Sequence, residues 1–164
     1  MAIYTNKKGQ IHRIGAPACV WPNAEEWWFN GMKHRDDGPA LTNNESGQEW
    51  WFNDQLHRTD GPAVIRPGGL EGWYVNGDLH RTDGPAVTHP DGHKEWWLHG
   101  KRHRTDGPAV VYANSGQVWF RDGQLHRADG SNQWWLDGKQ VDQLTHMLLA
   151  NQYNTQTQPQ KVVL

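Results

Sequence analysis

Apolar and polar positions along this chain follow one pattern that returns every 23 residues. The aromatic pairs Trp27-Trp28, Trp50-Trp51, Trp73-Tyr74, Trp96-Trp97 and Trp119-Phe120 keep the beat, and the dipeptide His-Arg follows them at His12, His34, His57, His80, His103 and His126. The unit reads Trp-aromatic-x-x-Gly-x-x-His-Arg-x-Asp-Gly-Pro-Ala-Val, with about five residues to the next turn. Self-similarity at a fixed period of this length marks an array in which each unit leans on its neighbours.

Each unit predicts a β-hairpin. Asn30-Gly31, Asn53-Asp54, Asn76-Gly77, His99-Gly100, Asp122-Gly123 and Asp137-Gly138 lie between strand-forming residues, and such pairs tolerate the two positive φ angles of a type I′ turn. Asp-Gly-Pro then interrupts pairing, because Pro lacks a donor and Gly permits a bend. Ala109-Val110-Val111-Tyr112 resumes as a strand before Asn114-Ser115-Gly116 turns the chain back. The fold class expected is all-β: an elongated array of about six antiparallel hairpins over residues 1–138. The first unit is degenerate, since Ile14-Gly15-Ala16-Pro17-Ala18 keeps Pro and Ala but loses Asp-Gly. Val141, Leu144 and Leu148 recur at helical spacing, which predicts a capping helix over 139–153 that covers the last open edge. The Gln/Thr-rich residues 154–164 are expected to be a flexible tail.

Strand side chains alternate faces. Trp27/Phe29, Trp50/Phe52, Trp73/Val75 and Trp96/Leu98 form the more apolar row and are the expected core. The opposite row is Trp28, Trp51, Tyr74, Trp97, Phe120 and Trp135. It is either a second buried layer under the Pro-Ala-Val strands or an exposed aromatic stripe of the kind that marks a binding surface.

Composition supports a folded domain. Leu, Ile, Val and Phe are only 28 of 164 residues, but eleven Trp supply aromatic core material, each able to bury roughly 150–250 Å². A net charge of −2 is too balanced for a strongly basic nucleic-acid binder. One cysteine, Cys19, excludes an internal disulfide framework; it occupies the slot of Leu41, Val64, Val87 and Val110, so it is expected to be buried and inert. No apolar run has the length of a signal peptide or a membrane span, so a soluble cytoplasmic protein is the expectation.

Gly100-Lys101-Arg102-His103 after Glu95-Trp96-Trp97, with the Trp97-x-x-Gly100 spacing, recurs every 23 residues. In this the chain resembles the MORN repeat family, closest to the variant repeats of bacterial, phage and large-virus proteins, over roughly residues 4–138. It departs from the family where Arg-x-Asp-Gly-Pro-Ala stands in place of Gly-x-Gly after the His. The resemblance implies an elongated hairpin array used as an interaction scaffold, and it implies no catalytic residues.

The His row invites a metal reading. Equivalent His residues two strands apart sit roughly 10 Å from one another, so neighbours cannot share an ion whose bonds are about 2.1 Å. His89, His93 or His99 could pair locally, but no spacing demands it. These imidazoles are expected to bond backbone near the bend, with no metal and no cofactor. His-Arg-x-Asp resembles a kinase catalytic loop, but near-copies in every unit without a phosphate loop speak for structure. Arg35, Arg58, Arg81 and Arg104 are expected to pair with Asp37, Asp60, Asp83 and Asp106. No nucleophile–base set stands out, so the chain is expected not to be an enzyme.

Positions that vary between units are free to suit a partner. Arg66, His89, Tyr112 and Arg121 join Trp28, Trp51, Tyr74, Trp97 and Phe120 as the expected binding residues. The expected function is recognition of another protein, with phage or bacterial inhibition of a host or defence enzyme as the narrower form. The rival expectations are a Trp-lined groove capturing a nucleotide or sugar and peripheral lipid binding. No direct nucleic-acid contact is expected, and the array ends are where a homodimer would form.

Overall fold

Two hydrogen-bonded ladders run side by side through the computed structural model, which describes residues 1–113 and 116–125 and the backbone of 134–136 and 139–141. The first ladder is an eleven-stranded antiparallel sheet that follows chain order. Its strands are Ala2–Ile3, Cys19–Trp21, Ala24–Glu26, Leu41–Asn43, Gly47–Glu49, Val64–Ile65, Glu71–Gly72, Val87–Thr88, Lys94–Glu95, Val110–Val111 and Gln117–Val118. The second is a row of small hairpins: Trp28–Phe29 with Met32–Lys33, Trp51–Phe52 with Gln55–Leu56, Tyr74–Val75 with Asp78–Leu79, Trp97–Leu98 with Lys101–Arg102, and Phe120–Arg121 with Gln124–Leu125. The all-β repeat architecture expected from the 23-residue period is present.

The first Trp of each unit is the crease between the ladders. Trp50 donates its N–H to Ala63 in the sheet and accepts from His57 in the hairpin, and Trp27, Trp73 and Trp96 do the same with their own units' residues. One strand therefore changes partner at this residue. At the hairpin tips Asn30, Asn53, Asn76, His99 and Asp122 have φ between 48 and 53°, the left-handed conformation required by the expected type I′ turns. Each tip meets an imidazole of the preceding unit, whose Nδ1 also lies 2.8–2.9 Å from the side-chain Oδ1 of Asn53, Asn76 and Asp122. Nδ1 of His12, His34, His57, His80 and His103 lies 3.1–3.3 Å from the tip N–H of the next unit. Backbone bonds flank this link, such as Arg58 N–H to Tyr74 C=O and Gly77 N–H to Leu56 C=O.

The His-Arg-x-Asp-Gly-Pro-Ala segment is built around the guanidinium. Arg35, Arg58, Arg81 and Arg104 lie 3.8–4.1 Å over the rings of Trp27, Trp50, Trp73 and Trp96. Nε donates to Asp37, Asp60, Asp83 and Asp106 at 2.7–2.9 Å, and Nη1 donates to the carbonyls of Pro39, Pro62, Pro85 and Pro108. The hydrogen bond from Arg, aided by its charge, holds each of these exposed carboxyls below the usual range. The other guanidinium face lies against Gly38, Gly61, Gly84 or Gly107, where a Cβ would come within 2.7–3.1 Å of Cζ. Glycine at these positions gives the guanidinium its room, and the first unit carries Ala16 there instead. The degenerate first unit keeps the device: Arg13 stacks on Tyr4 at 3.9 Å and donates to the Pro17 carbonyl, and Tyr4 bonds Ala18 and His12 as the later Trp residues do.

The expected core row is corrected by this arrangement. Phe29 and Phe52 are 42% and 44% exposed, and Trp27, Trp50, Trp73 and Trp96 are half-buried under their Arg partners. The buried apolar positions are small: Ala18, Ala40, Ala63, Ala86 and Ala109 at the crease, with Cys19, Val64, Val110 and Val118 beside them. Burial raises the Cys19 thiol pKa, in keeping with an inert side chain. At the far end, Lys139–Val141 is a strand paired with Trp134–Leu136, where the capping helix was expected to begin. Residues 142–164, with the rest of that helix and the tail, lie outside the described residues.

Gly61→Ala should lower stability by about 1–3 kcal/mol through overpacking against Arg58, read as a lower urea midpoint. The loss should shrink when Arg58→Ala is combined with it, because the clash partner is gone. His57→Ala should cost about 1 kcal/mol by leaving the Asn76 N–H without its acceptor, read in the same denaturation experiment.

Candidate functional site

The face opposite the Arg–Trp stacks carries the variable residues. Its lower row is the second aromatic row, Trp28, Trp51, Tyr74, Trp97 and Phe120, all half-buried. Three of these indoles are tethered: Trp28, Trp51 and Trp97 donate Nε1–H to Glu26, Glu49 and Glu95 at 2.7–2.9 Å. Cations complete each site. Lys33 lies 3.9 Å from Glu26 and sits over Trp28 and Trp51, while Arg66 Nη2 meets Glu49 at 2.7 Å. In the third unit Gly72 stands in place of Glu, and the Tyr74 ring lies where a Cβ at this position would meet it at 2.9 Å. Burial raises the Tyr74 hydroxyl pKa. Trp135 belongs to this row in sequence, but its side chain lies outside the described residues.

Sheet register builds the upper row. Ile65 is opposite Gln48, Thr88 is opposite Glu71 and Lys94, and Val111 is opposite Lys94. One step further along these strands places Gly47, Arg66, Leu70, His89, His93 and Tyr112 side by side, as the Arg66–Leu70 and His89–His93 backbone bonds confirm. Eight of the nine expected binding residues thus share one face. Arg121 does not: it is exposed on the opposite face, paired with Gln124.

The fourth unit gathers something the expected set did not contain. His89 and His93 flank the loop His89-Pro90-Asp91-Gly92-His93, so a spacing of four residues becomes a cross-strand pair with ring centroids 4.9 Å apart. Glu95, two residues on, returns to the same face. Its Oε1 lies 2.9 Å from His93 Nε2, and its Oε2 accepts from Arg102 and Trp97, each at 2.9 Å. The Tyr112 ring is 5.2 Å from that of His93. His93 is 0%, Glu95 3% and Arg102 6% exposed. Burial pushes the Glu95 carboxyl up, but the hydrogen bonds and charges of His93 and Arg102 outweigh it and bring its pKa to about 2. Burial, then the neighbouring His93, pushes the His89 imidazole below its ordinary value. Among the described residues, this is where three groups able to ligate a metal come together, their ligand atoms all within 4.8 Å. Of the three, only His89 was an expected binding residue; His89 and His93 were expected to be able to pair locally, and no metal ligand was expected. The available signal was the departure from the repeat: the other units carry Gly47, Leu70 and Gly116 where this one has His93.

No family model matches the chain, and no curated protein matches it in sequence. Among the described residues, no helix is long and apolar enough to cross a membrane.

The depressed Glu95 pKa makes a pH prediction. Its stabilising contribution is full above the ordinary carboxylate value of 4.5 and is lost as pH falls toward about 2, an effect of about 3 kcal/mol. Glu95→Gln should therefore be less stable at neutral pH and should show a shallower acid limb in urea midpoint against pH. The four Arg-paired Asp residues should preserve the remainder of that limb.

Proposed function

We propose that this chain is a non-enzymatic recognition scaffold of the MORN-like kind, which binds another protein through the face carrying its two variable rows. The supporting observation is a division of labour between positions. The residues repeated in every full unit, namely Trp, His, Arg, Asp, Gly, Pro and Ala, are occupied in holding the crease and linking neighbours. The residues that change from unit to unit, Arg66, His89 and Tyr112, stand in one line above a row of aromatics on a rigid frame. A line of unlike side chains at fixed spacing suits a folded protein surface, and it is compatible with inhibition by occlusion. Ligand capture by stacking fits less well, because Glu26, Glu49 and Glu95 take the indole N–H groups and Lys33 and Arg102 sit over ring faces.

Crosslinking mass spectrometry on the tagged chain, in cells that naturally contain it, tests this reading. The expected result is one predominant partner crosslinked to the side bearing Arg66 and Tyr112. Arg66→Asn combined with Tyr112→Asn, which inserts the residue found at Asn43, should reduce capture at least tenfold, and Arg121→Ala on the other face should not. Failure to enrich a protein, or capture indifferent to the double substitution, would overturn the proposal.

A further inference from the structure

The fourth unit contains a cluster that the array does not need. Equivalent strands in other units are built with Asn43, Gly47 and Glu49, with Arg66, Leu70 and Gly72, or with Tyr112, Gly116 and Val118. Each of those sets supports the same ladder. Only the fourth unit places His89, His93 and Glu95 together, two of them buried beyond nine-tenths. Burying an imidazole beside the carboxylate carries a desolvation cost that the other units avoid with Gly47, Leu70 or Gly116 at the position of His93.

The geometry points to a divalent transition-metal site, with His89, His93 and Glu95 as ligands and zinc as the best-matched ion. Two imidazoles and one carboxylate are the donor set of open zinc sites, whereas calcium and magnesium prefer oxygen alone. Around a tetrahedral ion with bonds of about 2.0–2.1 Å, neighbouring donor atoms stand roughly 3.3 Å apart. His93 Nε2 and Glu95 Oε1 are at 2.9 Å, and the three ligand atoms lie within 4.8 Å of one another. Side-chain rotations of modest size therefore suffice to close the site. Arg102 and Trp97 both hold Oε2, which leaves Oε1 directed at His93; outer partners of this type orient metal-bound carboxylates. Arg102 opposes a cation by charge, but its guanidinium is already engaged with the carboxylate. His89 is half-buried beside the exposed residues Pro90, Asp91 and Gly92.

The site is tested on the full chain with Zn²⁺ by calorimetric titration in a non-coordinating buffer, and with Co²⁺ by its visible ligand-field spectrum. The expected result is one ion per chain and the intense bands of a four-coordinate Co²⁺ centre. His89→Asn and His93→Leu should each weaken zinc binding at least tenfold. Both insert residues that other units carry at the same positions, Asn43 and Leu70, so the strands should fold; circular dichroism with thermal melts checks this. His99→Asn removes a second close imidazole pair among the described residues, His80–His99 at 4.4 Å, and should leave binding unchanged. Absence of stoichiometric zinc binding by the parent chain would overturn the assignment, as would affinity unaffected by His89→Asn and His93→Leu, or affinity lost in His99→Asn.

Discussion

Four units of this protein, those of Arg35, Arg58, Arg81 and Arg104, are each held by a planar guanidinium lying between an indole ring and a glycine. The Arg of His-Arg stacks on the first Trp of its own unit, donates sideways to Asp and to the Pro carbonyl, and uses its backbone N–H to reach the second aromatic residue of the next unit. One residue thereby fixes the crease, the returning loop and the distance to the neighbour. Lysine could not do this, because an ammonium has neither a flat face nor a fork of donors. The stacking itself is worth about 0.5–2 kcal/mol per unit, and its repetition along the array matters more than its size. The exposed Arg–Asp pair adds little stability of its own; its role is to orient the guanidinium.

A thin, polar fold follows from that device. Because Arg shields the Trp ring, the crease needs only an Ala methyl beneath it, and the buried apolar residues of the described array are small. This explains how a chain with a mean hydropathy of −0.92 can be all sheet without a thick aliphatic core. Two ladders share the work of satisfying backbone groups, and the imidazoles supply the acceptor that the left-handed hairpin tips would otherwise lack. With these contacts assigned to the repeated residues, the upper row of the sheet differs from unit to unit. It can hold Arg66 in one unit, His89 and His93 in the next and Tyr112 in the last without altering the strands.

Much of this was legible in the residues. The 23-residue period, the type I′ turns at Asn-Gly and Asp-Gly, the Arg–Asp pairing and the buried slot of Cys19 depend on local chemistry that recurs, and local chemistry can be read along a chain. Tyr4 was legible too, standing 23 residues before Trp27 as the aromatic of the first unit. The roles of the two aromatic rows were not. Alternation assigns Trp27 and Phe29 to the same face, but it does not show that an Arg covers the one while the other, at 42% exposure, meets solvent.

The tertiary structure also decided the company kept by His89, His93, Glu95 and Arg102. Along the chain they are a loop residue, its mate four positions on, a strand residue and part of the next hairpin. They converge because antiparallel register folds the loop's two ends together and the crease carries the strand from Glu95 into the hairpin that holds Arg102. The sequence by itself determined the repeating unit and its turns, since these arise from conformational preferences of neighbouring residues. Which side chains meet across strands was settled only when register and the change of partner at each Trp set the distances between them.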